Sequence, residues 1–166
     1  MQEEGGALSV GVVLDGGVCL DLARTDARVD LNGSNLASFC VLTEEVSHFL
    51  YLLYCARQDR RVSQLELELQ GEVDKYLTAV LFLSLQNEGA VSSRLRHWLF
   101  RDWRLADGMT SERAERYRAA SGMASRYCAF LEARFLRPAR LTDLTREARR
   151  FYRLGQREKL ETIAEI

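Results

Sequence analysis

Two apolar stretches joined by a polar break decide the fold: residues 36–53 read LASFCVLTEEVSHFLYLL, residues 57–61 read RQDRR, and residues 62–77 read VSQLELELQGEVDKYL. Within each stretch, apolar side chains recur at intervals of three and four residues, which is the repeat of an α-helix with one face in a core. We therefore predict an antiparallel helical hairpin, formed by residues 36–56 and 63–86, at the centre of the core.

Charged side chains are set into the apolar faces of this hairpin. Glu45 and His48 lie three residues apart on one face of the first helix, and Glu72 lies within an apolar stripe of the second. If the chain turns near Asp59, residues equally distant from it are level, because both helices rise by about 1.5 Å per residue. His48 is then level with Glu72, and Glu45 is level with Lys75.

This cluster has two interpretations. In the structural one, which we favour, His48 forms a direct hydrogen bond to Glu72. Lys75 then neutralises Glu45, and no cofactor is expected. In the other, Glu45, His48 and Glu72 bind a divalent metal such as zinc, iron or manganese, because helical bundles use inward-facing Glu-x-x-His pairs for this purpose. Glu68, one turn before Glu72, is then a fourth ligand.

Further signals mark the helix boundaries. Ser63 and Glu66 have the spacing of a capping box, which gives Glu66 a structural role. Another long helix is predicted to begin near Thr110 and to end before Pro138, because the residue before proline is disfavoured in a helix. Its seam is expected to face another helix of the same chain rather than a second copy. The seam residues are Ala114, Tyr117, Ser121, Ala124, Cys128, Leu131 and Phe135.

The N-terminal part is predicted to form strands over residues 8–31. Apolar residues alternate in 9–14 and 18–22, on either side of an Asp-Gly-Gly turn signal, and 27–31 is a candidate third short strand. The predicted class is α+β, predominantly α, with this β-hairpin packed on five or six helices. We expect one domain over residues 1–166, made of the β-hairpin region, the central helical hairpin at 36–86 and a basic helical half at 91–166.

Charge and cysteine content indicate the compartment and the kind of partner. The net charge is −1, but it divides into −8 for residues 1–90 and +7 for residues 91–166, a pattern that marks a partner-binding face or two halves that neutralise each other. The four cysteines form no C-x-x-C, and neither a signal peptide nor a membrane span is indicated. We therefore expect a cytoplasmic protein with reduced, mostly buried thiols.

Three functions follow from these patterns, in order of preference. The first is a non-catalytic interaction or regulatory module that binds a protein partner or a second copy of itself. The second is a metal-binding protein or metalloenzyme that uses the cluster described above. The third is a nucleic-acid-associated protein, which is not favoured because acidic residues are interspersed with the basic ones. Its binding residues would be Arg146, Arg149, Arg150, Arg153 and Arg157, which the spacing places on one helix face.

Overall fold

The computed structural model describes residues 11–87, 94–100 and 110–166 in full, and the backbone of residues 2–4 and 7–9. Helices account for 77% of the described residues. The helices of this part are α1 (Gly16–Arg24), α2 (Leu36–Arg57), α3 (Gln64–Gln86), α4 (Leu95–Phe100), α5 (Ser111–Leu131), α6 (Leu141–Arg153) and α7 (Gln156–Ala164). Residues 91–93 and 101–109 of the predicted basic helical half lie outside the described residues.

The predicted α+β class is wrong, and the protein is all-α. Where a hairpin was expected around Asp15, the chain starts α1, because the Asp15 side chain accepts a hydrogen bond of 2.7 Å from the Gly17 backbone N–H. Aspartate is a good N-cap as well as a turn residue, so Asp-Gly-Gly is ambiguous in sequence. The expected third strand is a turn, in which the Gln86 side chain accepts from the Leu31 N–H and donates to the Ala27 carbonyl.

A short ribbon precedes the helices. Its strands are β1 (Gln2–Glu4) and β2 (Ala7–Ser9), which pair antiparallel with Gln2 opposite Ser9. This ribbon differs from the predicted hairpin, whose strands were placed at 9–14 and 18–22; residue 10 of that prediction lies outside the described residues. Two strands of three residues form only a local feature, so the layers of the fold are helical.

The central helical hairpin is confirmed. The chain reverses at Asp59, which has a φ of 48° in the left-handed region. Two side-chain hydrogen bonds fix the register of α2 against α3: the Ser47 hydroxyl donates to Asp74 at 2.6 Å, and the Tyr51 hydroxyl donates to Glu66 at 2.7 Å. The antiparallel order follows, because the earlier residue of α2 meets the later residue of α3.

Helix α3 lies at the centre of the fold, between α2 and α5. The α3 side chains of Leu69, Val73, Tyr76, Ala79 and Val80 are all buried. Small side chains on α5 allow its backbone to come close to α3. The predicted seam of α5 therefore has an intramolecular partner, as expected; its buried residues are Ala114, Tyr117, Ala120, Ala124, Tyr127, Cys128 and Leu131.

The π-helical turn after α5 and the helices α6 and α7 complete the hydrophobic core. Helix α5 continues as one π-helical turn, Glu132–Leu136, and ends before Pro138 as predicted. Phe151 of α6 stacks on the Tyr127 ring with their centroids 3.9 Å apart. Helix α7 places Lys159 and Ile163 in the interior.

One helix in the described part of the chain, α2, is long and apolar enough to cross a membrane, judged by its length and composition alone. It packs against α3 through polar groups, and Ser47 and Tyr51 are both buried and hydrogen-bonded there.

Candidate metal centre

An open cavity of about 500 Å³ lies between α2, α3 and α5. Helices α2 and α3 contribute mainly acidic groups and one imidazole, and α5 contributes two guanidinium groups and a phenol. The lining residues are Cys40, Val41, Glu44, Glu45, His48, Gln64, Leu67, Glu68, Arg113, Arg116 and Tyr117. Because these residues lie on helices rather than loops, the packing of the core fixes their positions.

Three metal-ligating side chains converge in this cavity. Glu44 and His48 are four residues apart on α2 and therefore share a face, while Glu68 faces them from α3. One ligand atom from each residue lies within 4.8 Å of the other two, and the His48 Nε2 is 3.9 Å from a Glu68 carboxylate oxygen. In the described part of the chain this is the group that has the composition and spacing of a metal site.

The His48 imidazole has a buried nitrogen with no hydrogen-bond partner among the described residues, its Nε2. Burial lowers the pKa of His48 below its usual 6.5, although the nearby Glu45 and Glu72 act in the opposite direction. The ring is therefore neutral at pH 7, which is the form that binds a metal. Gly71 makes room for it, since a Cβ at position 71 would lie 2.8 Å from the Nε2.

The Glu68 carboxyl has a pKa raised above its usual 4.5. Burial is the main cause and the neighbouring Glu44 adds to it, while Arg113 and Arg116 act in the opposite direction. Burial thus disfavours the charged form of this carboxylate. A bound cation would stabilise that form and would also give the His48 nitrogen a partner.

A buried ion pair lies behind the cavity. The Lys75 ammonium donates to a Glu72 carboxylate oxygen at 2.5 Å and to Glu44 at 3.3 Å, and both Lys75 and Glu72 are fully buried. The Tyr117 hydroxyl donates to the same Glu72 oxygen. Burial alone would lower the pKa of Lys75, but the two carboxylates outweigh it and raise that pKa.

The structure therefore rearranges the cluster expected from the sequence. The predicted direct hydrogen bond between His48 and Glu72 is wrong, because Glu72 turns to Lys75 and Tyr117. The predicted pairing of Lys75 with Glu45 is also wrong, because Lys75 contacts Glu44. Glu45 is exposed at the edge of the cavity, and Glu68 and His48 face each other inside it.

A second buried polar cluster was not predicted. Lys159 of α7 is fully buried and donates to the Tyr51 hydroxyl at 2.8 Å and to the side-chain amide oxygen of Gln70 at 2.6 Å. The Glu66 carboxylate belongs to this cluster through Tyr51 and through Arg60, 2.8 Å away, and only the Glu66 backbone N–H takes part in the predicted Ser63 cap. The sequence holds one indication that Lys159 is buried. It precedes Ile163 by four residues, which places the lysine on an apolar face of its helix.

Three of the four cysteines are core residues. All four are free; Cys40, Cys55 and Cys128 are buried, and Cys19 is exposed. Burial raises the pKa of the Cys40 thiol to about 12 and that of Cys128 well above its usual value. Neither thiol is a nucleophile at neutral pH, because the thiolate is the reactive form.

The C-terminal arginines do not share one helix face. Helix α6 ends at Arg153, and Arg157 lies on α7 after a break in the helix. Arg146 pairs with Asp143 at 2.8 Å, and Arg150 pairs with Glu147 at 2.7 Å. These two arginines therefore pair with acids of their own helix. The ranking of nucleic-acid binding as the third function stays a prediction. Arg149, the remaining arginine of the predicted nucleic-acid-binding set, also lies on α6.

Comparison with protein-family models, with curated proteins and with solved structures gives no match to this chain. The assignment of function therefore rests on the geometry of the cavity.

Proposed function

We propose that the protein binds one divalent transition metal ion through Glu44, His48 and Glu68. The observation that carries the proposal is the buried His48 nitrogen, which lacks a partner in the described part of the chain and faces two carboxylates. A buried polar atom left unpaired costs about 1–3 kcal/mol. A metal ion would satisfy this nitrogen and would also stabilise the charged form of Glu68, which burial disfavours.

The donor set narrows the choice of metal. One imidazole nitrogen and two carboxylate oxygens suit zinc, iron(II) and manganese(II), with ligand distances of about 2.0–2.2 Å. Small side-chain rotations would draw the three atoms closer around such an ion. Three protein ligands leave coordination positions open toward the cavity, as in catalytic rather than structural sites. We therefore place the protein among candidate metalloenzymes, acting in the cytoplasm, where free thiols persist.

Neighbouring glutamates of α2 provide a matched test. We expect wild-type protein, purified without a histidine tag, to bind one equivalent of zinc in calorimetric titration. Glu44→Gln and His48→Ala should each weaken zinc binding by about 100-fold or more, because each removes a ligand. Glu45→Gln, which changes the adjacent exposed residue, should leave the affinity close to that of wild type.

The same titrations with iron(II) and manganese(II) rank the metals. Circular dichroism of each variant shows whether the fold survives, so that lost binding is not confused with unfolding. Wild-type protein that takes up none of the three metals, or a Glu45→Gln variant that loses zinc as fully as Glu44→Gln, would overturn the assignment.

A second candidate function is self-association through the outer face of α2. Val46, Leu50 and Leu53 are 37%, 51% and 37% exposed, and they recur every three or four residues, as in a helix–helix seam. In a two-fold pairing centred near residue 50, Val46 of one copy meets Leu53 of the other, and the exposed Glu45 lies within a turn of the exposed Arg57. This complementarity favours a second copy of the chain as the partner.

Self-association predicts that Leu50→Glu converts a dimer into a monomer, because two glutamates would then face each other in an apolar contact. Light scattering after size-exclusion chromatography measures the mass directly. Leu85→Glu is the control, since Leu85 is also exposed but lies at the end of α3. A wild-type protein that is monomeric at the highest concentration used would remove this candidate.

A further inference from the structure

Two arginines of α5 face the three proposed ligands across the cavity. Arg113 and Arg116 line its wall together with Tyr117, opposite Glu44, His48 and Glu68. In the described part of the chain, the buried Nε of Arg116 has no hydrogen-bond partner, while Nη1 of the same guanidinium lies 3.6 Å from a carboxylate oxygen of the exposed Glu112.

Neither arginine forms an ion pair with a glutamate of the cavity among the described contacts, although both arginines influence the Glu68 carboxylate electrostatically. A volume of about 500 Å³ accommodates a small molecule. The cavity is therefore large enough for a ligand that contacts both the arginines of α5 and the proposed ligands of α2 and α3.

A metal ion would reverse the charge of this cavity. Its lining carries three carboxylates and two guanidinium groups, with a neutral imidazole, so the formal charge is −1 without metal. A divalent ion changes that charge to +1. Anion binding would then depend on the metal, and by linkage the anion would strengthen metal binding by the same factor.

We infer that the cavity takes a small organic molecule bearing an oxyanion, whose oxygens bridge the metal and the guanidinium groups of Arg113 and Arg116. Arginine is suited to this task because its planar fork of donors matches the oxygens of a carboxylate or a phosphate. Tyr117 adds an aromatic wall beside the arginines. This inference rests on the proposed metal site and names the class of its substrate.

Phenyl phosphate and benzoate serve as probes, because they share an aromatic ring and differ in the oxyanion. Each is titrated calorimetrically into zinc-loaded wild-type protein and into metal-free protein. We expect at least one probe to bind the zinc form, and to bind the metal-free form about tenfold more weakly or worse. The probe that binds more tightly identifies the oxyanion as a phosphate or a carboxylate.

Arginine variants then separate the two proposals. Arg113→Gln and Arg116→Gln should each weaken probe binding by about tenfold while zinc still binds at one equivalent. Arg118→Gln, an exposed arginine of the same helix, should match wild type. If zinc binds but neither probe does, or if the arginine variants bind the probe as wild type does, the oxyanion site is wrong and the metal site stands. If zinc itself does not bind, the metal proposal fails first.

Discussion

Replacing Lys75 with methionine is expected to lower the free energy of unfolding by about 3–5 kcal/mol. Lys75 and Glu72 are both fully buried, and the ammonium contacts Glu72 at 2.5 Å and Glu44 at 3.3 Å. Methionine keeps most of the volume, so the loss comes from two carboxylates that are left without their cation rather than from a cavity. Urea denaturation followed by circular dichroism measures the effect.

A double variant tests this explanation. Glu72→Gln combined with Lys75→Met removes both charges of the buried pair, and we expect it to be more stable than Lys75→Met alone. Replacing both partners of a buried ion pair by neutral groups is generally far less costly than removing one. A Lys75→Met variant within about 1 kcal/mol of wild type would show that the pair does not bear on stability as described.

Stability is also expected to rise with pH between about 7 and 8.5, by about 1–2 kcal/mol, because of Lys159. Burial lowers the pKa of Lys159 from 10.5 to about 7, although Glu66 and Asp74 partly oppose this shift. In this window the unfolded chain holds a proton on the lysine that the folded chain has released. The unfolded state therefore binds more protons, and the free energy of unfolding increases with pH.

The limits of this window are set by other groups. His48 has a lowered pKa, so its titration falls below pH 6.5, and the buried thiols of Cys40 and Cys128 oppose the trend near pH 9 and above. Lys159→Met should abolish the rise, whereas Arg157→Met, at a residue whose side chain is 86% exposed on the same helix, should retain it. Denaturation curves at several pH values measure the slope. The same rise in Lys159→Met would mean that another group is responsible.

The helical hairpin was predictable because its signal is long and consistent. Apolar spacing, the Ser63 cap and the polar break at 57–61 all agree, and the structure has both helices in the expected places. The N-terminal region was mispredicted because its signal is short. Val18, Leu20 and Leu22 alternate as in a strand, yet the Asp15 cap and the residues after it form a helix equally well.

The location of the candidate site was predictable from the sequence, and so were two of its three proposed ligands, His48 and Glu68, but Glu44 was not. Placing His48 level with Glu72 is close to the observed register, since a Cβ at Gly71, next to Glu72, would lie 2.8 Å from the His48 Nε2. Helical spacing does not fix which of two adjacent glutamates turns inward, and here Glu44 does so rather than Glu45. The contribution of α5 to the cavity could not be predicted from the sequence, because no local pattern indicates that Arg113 will face residues distant from it in sequence.

Gly71 lowers the helix propensity of α3 at the position nearest to the His48 ring. A glycine in the middle of a helix is less favourable than alanine by about 1 kcal/mol, since it loses more backbone freedom on folding. Gly71 lies inside α3, where alanine would improve helix propensity but would press against the His48 ring. The helix thus keeps a weak helix former at the one turn where the ring needs space. At this position, space for the His48 ring therefore prevails over the helix propensity of α3.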